Sequence, residues 1–196
     1  MYLKTEQKYR KIAYFCMVNG INYLNRQKSI TLNIRNITLD DASAVCRIYN
    51  HYIENTVVTF ETSPVTEEEI QKRICDVVES DCPWYIGEIN GEIIGYVYLH
   101  NFHPREAFFK TKEVAIYLHK DYSGKGLGSV LLESLLNKIN PKKIHVLMAG
   151  ITIPNEKSIK MHEKFGFKQI SYMKEVGWKF DQWRDVGYWQ LTLDAI

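Results

Sequence analysis

From residue 32 onward, the apolar positions change repeatedly from the two-residue period of strands to the 3.6-residue period of helices. Alternation over residues 32–37 predicts a first strand. Helical spacing, with capping residues at 38–41 and three acidic residues after Thr66, predicts helices over 42–54 and 66–78. This alternation predicts one α/β (α+β) domain with a mixed sheet and helices packed on its faces.

Two apolar segments, 84–89 and 93–100, are separated by Asn90-Gly91. This pair suits the positive φ values of a two-residue turn, so the segments are predicted to form a hairpin. Five further elements are predicted: a strand over 113–118, a helix over 127–139 ended by Pro141, a strand over 144–149, a helix over 155–165 closed by Gly166, and one or two final strands within 178–193.

A chain of 196 residues, 45% of them hydrophobic, is long enough for one sizeable core and too short for two ordinary domains. We expect a domain over 31–196 and an N-terminal extension of unknown role over 1–30. Basic residues before the apolar run 12–18 faintly resemble a signal peptide, but no A-x-A-like cleavage site follows. The extension is either an appended helix or upstream sequence, if translation starts at Met17.

Charge and apolar run length limit the partners. The formal net charge is +2, which disfavours a nucleic-acid partner, and no run approaches the roughly 20 apolar residues that cross a bilayer. The partner is therefore expected to be a small molecule or another protein. The four cysteines form no CxxC pair, so neither a zinc site nor a redox dithiol is indicated. We expect buried free thiols and a cytoplasmic protein.

The first candidate for chemistry is a glycine-rich segment, 122–128, between a predicted strand and a predicted helix. Its amides could bind a pyrophosphate at the helix N-terminus, and a purely structural turn is the alternative. A Walker loop needs Ser or Thr directly after Gly-Lys, where this chain has Gly126. A dinucleotide fingerprint opens the first βαβ unit, whereas this loop comes after four predicted strands.

The second candidate is the helix after Pro154, where Asn155, Ser158 and His162 share one face. Together with the glycine loop, this set resembles the GNAT superfamily of acetyl-CoA-dependent N-acetyltransferases. The cofactor loop of that superfamily is Gln/Arg-x-x-Gly-x-Gly/Ala, and a later helix carries an Asn, often with a Tyr seven residues on. Here Ser123 stands at the Gln/Arg position and His162 at the Tyr position.

Within the superfamily, the chain resembles the phosphinothricin and methionine sulfoximine N-acetyltransferases from about residue 34 to 193. The stretches that carry this resemblance are YNHYI at 49–53, VTFET at 58–62, KGLGS at 125–129, MHEKFGF at 161–167, GWKF at 177–180 and WRDVGYWQ at 183–190. The resemblance implies the GNAT fold, with a mixed, mostly antiparallel central sheet flanked by helices on both faces.

The resemblance also implies acetyl transfer from acetyl-CoA to a primary amine, without a metal. The cofactor-binding residues that it implies are Ile116, Tyr117 and Leu118 through their main chain, Gly124, Lys125, Gly126, Leu127, Gly128 and Ser129 around the pyrophosphate, and Asn155 and Ser158 on the later helix. Because backbone amides supply most of the contacts to the pyrophosphate, Ser123 in place of Gln or Arg is expected to weaken cofactor binding only modestly.

The family's catalytic pair corresponds to Glu113 and His162. A protonated amine cannot attack a thioester, so Glu113 is the candidate base. The alternative is a surface carboxylate paired with Lys110 or Lys112. His162 either shares the role of base or protonates the leaving CoA thiolate, and the sequence does not separate these roles.

The substrate-binding residues implied by the resemblance are Phe60, His103, Arg105, Phe108 and Thr111. The corresponding family loop usually carries two arginines and a Tyr. Here Arg105 is kept, while His103 and Phe108 are replacements, so part of the grip on an anionic head is expected to be lost.

Three functions remain open at this point. The first is acetylation of a small amino-acid-like amine, and the second is acetylation of a protein N-terminus or a lysine side chain. The third is a non-catalytic acetyl-CoA-binding module that regulates a partner. Family members are commonly dimers, so a homodimer is expected.

Overall fold

The computed structural model describes residues 32–193. The extension predicted over 1–30 lies outside the described residues. The described chain forms β1 (Leu32–Asn36), α1 (Ala42–Asn55), α2 (Glu67–Glu79), β2 (Trp84–Ile89), β3 (Glu92–Asn101), β4 (Thr111–Leu118), α3 (Leu127–Leu136), β5 (Val146–Ile153), α4 (Glu156–Lys164), β6 (Lys168–Lys179) and β7 (Gln182–Thr192).

These strands make one seven-stranded sheet in the order β1-β2-β3-β4-β5-β7-β6. Every neighbouring pair is antiparallel except β4 and β5, which are parallel. The predicted mixed, mostly antiparallel sheet is therefore confirmed.

Helices cover both faces of the sheet, as predicted. On one face, Tyr49 and Tyr52 of α1 pack edge-on against Tyr117 of β4, with ring centroids 5.0 and 5.1 Å apart. On the opposite face, Leu131 of α3 is fully buried over Gly87 of β2, where a Cβ atom would come within 3.0 Å of its side chain. The two faces of the sheet therefore belong to different helices.

The hairpin between β2 and β3 is also confirmed. Asn90 and Gly91 both have positive φ, at 53° and 81°, which is the conformation of a two-residue turn that matches the strand twist. The predicted start of α2 is confirmed as well, because the Thr66 side chain accepts a hydrogen bond from the Glu69 amide at 3.2 Å.

Several predicted boundaries were wrong. Helix α3 ends at Leu136, well before Pro141, and two turn-like bonds follow it, Lys138 N–H to Leu135 and Ile139 N–H to Leu136. The strand predicted over 144–149 runs from Val146 to Ile153, and α4 begins at Glu156 with Asn155 as its N-cap.

The largest error concerns β6, which begins at Lys168, ten residues before the predicted start. Strand β6 lies at the edge of the sheet, and most of its residues are exposed. Two interruptions of its pairing with β7 also break the alternation of apolar and polar positions on which the prediction depends. An exposed, bulged edge strand leaves little periodic signal in the sequence.

The described cysteines, Cys46, Cys75 and Cys82, are free thiols. Cys82 is buried and Cys46 is partly buried, but Cys75 is exposed, so the prediction of buried thiols was wrong there. The reason is its place on α2, which turns Ile74 inward and the next residue toward solvent. Within residues 32–193, no helix is long and apolar enough to cross a membrane.

Candidate active site

The site begins where β4 and β5 separate. Their parallel pairing covers only Thr111–Val146, Lys112–Leu147 and Glu113–Met148. Beyond Glu113, the facing edges of β4 and β5 have no paired residues, although both strands continue for about five more residues. A cleft of about 930 Å³ opens there. Backbone groups along such an edge require hydrogen-bond partners, and an extended ligand can supply them.

One end of the cleft is formed by the glycine loop. Gly124 and Gly126 have φ values of 77° and 82°, and Gly126 is the N-cap of α3. A Cβ atom built on Gly126 would meet no protein atom within 4 Å. The loop therefore combines positive φ, open space and free amides at a helix N-terminus, which together favour an anion.

The structure brings most, not all, of the predicted cofactor residues to this cleft. The lining includes Ile116, Tyr117, Leu118, Gly124, Gly126, Gly128, Ser129, Asn155 and Ser158. Lys125 and Leu127 are outside the lining, and the Lys125 ammonium lies 5.2 Å from the centre of the Tyr122 ring. Asn155 uses its side-chain oxygen to cap α4, accepting a bond from the Ser158 amide at 3.2 Å.

Lys157 is a cofactor-side residue that the sequence analysis missed. It lines the cleft, and its Nζ lies 3.8 Å from the position that a Cβ of Gly124 would occupy. A lysine in the first turn of α4, two residues after Asn155, was the available signal. Its positive charge beside the glycine loop suits a phosphate-bearing ligand.

Glu113 lies at the vertex, as the last β4 residue paired with β5. Burial raises the pKa of its carboxyl group, and His100 and the backbone N–H of Gly150 oppose that rise. Gly150 must be small, because a Cβ there would come within 2.9 Å of Glu113 Oε1. Glu113 thus sits where both halves of the cleft meet, with a carboxyl group that binds protons more readily than an exposed one.

Neither lysine considered as an ion-pair partner of Glu113 makes that contact. Lys112 is buried and donates to Asn101 Oδ1 at 2.5 Å. Lys110 Nζ lies 5.7 Å from the centre of the Phe109 ring. In the described part of the chain, the Glu113 carboxylate therefore has no lysine partner.

His162 lines the cleft from α4 and is 4% exposed. Its Nδ1 lies 2.9 Å from the Ser158 carbonyl oxygen. Because a carbonyl only accepts hydrogen bonds, this contact favours the tautomer with the proton on Nδ1 and the lone pair on Nε2, while the Ser158 hydroxyl, 3.3 Å from Nδ1, can bond to either tautomer. Nε2 is buried without a hydrogen-bond partner among the described residues, and burial lowers the pKa of the imidazole. His162 is therefore neutral at neutral pH, with one unpaired proton-accepting atom.

The predicted substrate residues separate into two groups. Phe60 lines the cleft, whereas His103, Arg105, Phe108 and Thr111 do not. Arg105 and Phe108 are exposed. The centroids of the His103 and Phe108 rings are 4.7 Å apart with the rings tilted by 39°, and His103 Nδ1 accepts a hydrogen bond from the Arg105 amide. The roles of these four residues stay predictions.

Other side chains occupy the end of the cleft opposite the glycine loop. Most are apolar or aromatic, and the sequence analysis missed them: Val58, Tyr98, His100, Met173, Val176, Trp178 and Tyr188. His100 is the cross-strand partner of Glu113, and Tyr98 lies two residues before it on the same face. Finding these residues needed the register of β3 on β4 and the bulged course of β6, neither of which follows from local periodicity.

The fold and the cleft together define a transferase that holds its donor against a splayed parallel strand pair and a glycine loop. Residues 34–187 match the acetyltransferase (GNAT) domain model, so the chain belongs to the GNAT acetyltransferase family. The predicted membership of the GNAT superfamily is thereby confirmed, and the relatives that follow confirm the narrower resemblance and the acetyl-CoA-dependent N-acetyltransferase activity.

Relatives of known name support the same assignment. The chain is 33% identical to phosphinothricin N-acetyltransferase of Streptomyces viridochromogenes over 81% of this chain and 86% of that one. It is 31% identical to the L-methionine sulfoximine/L-methionine sulfone acetyltransferase of Pseudomonas aeruginosa, over 84% and 96%. Its fold is similar to yncA of Salmonella typhimurium, solved with acetyl-CoA, at a TM-score of 0.82 and 31% identity over 85% and 96%.

The donor substrate of the enzyme is acetyl-CoA, and the residues present fit it. The amides of residues 124–128 and the Lys157 ammonium suit the pyrophosphate, and the unpaired edge of β4 suits the polar amides of the pantetheine arm. The Ser129 amide instead donates to the Gly126 carbonyl oxygen at 3.1 Å. Within residues 32–193, no group of three or more His, Cys, Asp or Glu side chains could hold a metal ion.

The glycine loop generates a prediction with a matched control. Replacing Gly126 by Val is expected to weaken acetyl-CoA binding at least about tenfold, because the side chain would occupy the open space beside the loop amides. Gly91→Val is the control, since Gly91 has nearly the same φ, 81° against 82°, and equally open surroundings, but lies in the β2–β3 turn.

Both variants bear the same backbone strain, so both are expected to lose similar stability in urea unfolding. Calorimetric titration with acetyl-CoA then separates strain from binding. Unchanged affinity in a folded Gly126→Val protein, or an equal loss in Gly91→Val, contradicts the assignment of the loop.

Proposed function

We propose that this enzyme transfers the acetyl group of acetyl-CoA directly to the primary amine of a small amino-acid-like substrate, with Glu113 as the general base. The observation that carries this proposal is the place of Glu113 at the vertex of the splayed strands, where a ligand along β4 and one from the opposite end would meet. The names of the relatives, which act on phosphinothricin and methionine sulfoximine, support a small amine acceptor.

The proton balance of the reaction requires a group that takes a proton from the amine, and we assign this role to Glu113. The ammonium form of the acceptor loses one proton to the Glu113 carboxylate and becomes a nucleophile. The nitrogen then forms a bond to the acetyl carbon as the carbon–sulfur bond breaks. The second nitrogen proton ends on the sulfur, and Glu113 returns its proton to water. One proton is released per turnover.

Four groups face the Glu113 carboxyl: His100 and Tyr98 from β3, the Gly150 amide from β5, and Tyr188 from β7. Of these, His100 and the Gly150 amide lower the pKa of Glu113. Burial is the largest influence, so the pKa of Glu113 lies above that of an exposed glutamate. Since only the ionised carboxylate accepts a proton, activity is expected to rise with pH through this raised pKa.

The neutral state of His162 bears on the two roles left open for it. A neutral imidazole whose Nδ1 proton is committed to the Ser158 carbonyl has no proton to give from Nε2. This geometry supports a proton-accepting role for His162 over that of an acid for the thiolate.

Acetylation of a protein N-terminus or a lysine side chain is the second candidate. A peptide acceptor needs an open cleft, so a loop from Asn101 to Thr111 that closed over the vertex would argue against this candidate. Instead, its residues between 102 and 111 lie outside the cleft lining, so the loop does not count against this candidate. A non-catalytic module is the third candidate, and turnover of any amine would exclude it.

We also propose that the enzyme is a homodimer. Four large apolar side chains that do not line the cleft are about half exposed on β6, β7 and their connecting turn: Ile170, Tyr172, Phe180 and Trp183. They extend along the outer strand of the sheet, and such clusters mark interaction surfaces.

The free thiols at Cys46, Cys75 and Cys82 support a reducing, cytoplasmic setting.

Replacing Glu113 by Gln tests the general base. The amide keeps the shape but cannot accept a proton, so kcat at pH 7 is expected to fall about 10²- to 10⁴-fold. Thiol release from acetyl-CoA with an amino-acid acceptor measures this rate. The defect should shrink as pH rises, because solvent then supplies the unprotonated amine.

Acetyl-CoA affinity should stay near wild type in Glu113→Gln, and Glu79→Gln at the end of α2 serves as the surface control. Near wild-type turnover at pH 7 would remove Glu113 from the mechanism.

For His162→Ala, kcat is expected to fall less than in Glu113→Gln, about ten- to a hundredfold. A fall in kcat larger than that of Glu113→Gln would make the histidine the principal base. A higher rate of thiol release with peptides than with every free amine tested would favour protein acetylation.

The homodimer is tested by charging its proposed surface. Trp183→Arg is expected to shift the sedimentation coefficient from that of a dimer to that of a monomer, because a charged side chain cannot be buried without a partner. Val78→Arg on α2 is the control, since Val78 is equally exposed, 59% against 57%, but lies away from the surface. A monomeric wild-type protein would contradict the proposal.

A further inference from the structure

The pairing of β6 with β7 is interrupted beside the acceptor end of the cleft. Met173 pairs with Val186, and the next pair is Gly177 with Arg184. Between these pairs, β6 has three residues, 174–176, and β7 has only Asp185. The extra residues form a bulge, and Glu175 has a φ of 54° within it. We call residues 173–177 the β6 bulge.

One carboxylate holds the β6 bulge in place. Asp185 accepts a hydrogen bond from the Glu175 backbone N–H at 2.8 Å and another from the Tyr172 hydroxyl. These bonds lower the pKa of Asp185, so it is ionised at neutral pH. Asp185 itself is not part of the cleft lining. Its contacts therefore act on the cleft only through the bulge.

The bulge supplies one wall of the acceptor end. Met173, Val176, Gly177 and the following Trp178 all line the cleft. Phe60 packs directly on this wall, since a Cβ on Gly177 would lie 2.0 Å from its ring.

A buried ammonium ties the same wall to the loop after α1. Lys179 is 3% exposed, and its Nζ donates to the Thr59 carbonyl oxygen at 2.8 Å. Thr59 in turn is hydrogen-bonded to the Tyr49 hydroxyl at 2.9 Å. The β6 bulge and the loop that carries Val58 and Phe60 therefore form one continuous, mostly apolar wall.

The charges at this end of the cleft restrict what can bind. Among the described lining residues, the cation-forming side chains are His100, His162 and Lys157, and the last two lie on α4 with Asn155 and Ser158. At the acceptor end, His100 thus stands alone, beside the Glu113 carboxylate. A second anionic group on the acceptor would find no lysine or arginine there and would face Glu113. An apolar body would instead be removed from water against the wall.

We infer that the acceptor end takes a primary amine with an apolar or aromatic body and without a second anionic group, and that Asp185 sets this preference by holding the β6 bulge. This inference rests on the proposed function. Asp185 is a positioning residue, because it acts through the bulge and does not touch the substrate.

The substrate preference is tested first on the wild-type enzyme. Thiol release is measured with L-phenylalanine, L-methionine and 2-phenylethylamine, and in parallel with phosphinothricin and L-glutamate. We expect kcat/KM for the best apolar amine to exceed that for either anionic one at least about tenfold. Equal or higher values for phosphinothricin or glutamate overturn the inference but leave acetyl transfer intact. No turnover with any of the amines overturns the proposed small-amine function as well.

The positioning role is tested by Asp185→Ala. Without the carboxylate, the Glu175 amide loses its partner, and KM for the preferred apolar amine is expected to rise about tenfold. KM for acetyl-CoA is expected to stay at its wild-type value, and the preference over phosphinothricin should shrink. Asp185→Asn keeps an oxygen acceptor and should restore most of the wild-type KM.

Two further variants keep this test decisive. Tyr172→Phe removes the second of the two donors and should give an intermediate effect. Lys168→Ala changes an exposed β6 residue that lies outside the bulge and does not line the cleft, and it should leave both KM values unchanged. An unchanged amine KM in Asp185→Ala, or equal rises in the KM of amine and acetyl-CoA, contradicts the positioning role.

Discussion

The rest of the site depends on the point where β4 and β5 stop pairing. Three residue pairs hold the parallel strands together, and the pairing ends at Glu113 and Met148. If the ladder continued to the strand ends, the backbone groups of residues 114–118 would be satisfied within the sheet and no cleft would pass between the strands. The separation therefore creates the donor-binding edge and, at the same residue, places the candidate base at its end.

The same separation explains the electrostatics of the two candidate catalytic residues. Glu113 and His162 both lie in the interior that the splay opens, and burial moves their pKa values in opposite directions. Each shift favours the uncharged form, as expected when desolvation is the main cause. The cleft thus holds a carboxyl group with increased proton affinity and a neutral imidazole. Both groups can take up or release a proton more readily than permanently charged side chains could.

The sequence predicted those parts of the fold and of the site whose signal is local. The Asn90-Gly91 turn, the glycine loop at 124–128 and the helix start near Asn155 each depend on a few consecutive residues whose backbone preferences are strong. The cross-strand contact of His100 with Glu113 could not be predicted this way, because it depends on the register of two strands joined by a nine-residue segment. Arg105 shows the opposite case. The family resemblance implies a substrate contact for this residue, which stays a prediction, because the fold leaves Arg105 exposed outside the cleft lining.

The two ends of the cleft differ in what the chain uses to build them. The donor end relies largely on backbone groups and on glycines such as Gly126, whose φ of 82° suits few other residues. The acceptor end relies on side chains, and many of them come from β6, which pairs with β7 on one side only. An outer strand can accommodate two extra residues opposite Asp185 without breaking a second ladder, whereas an insertion in β4 would disturb pairing on both sides. The sheet therefore constrains donor recognition tightly and leaves the acceptor wall free to change.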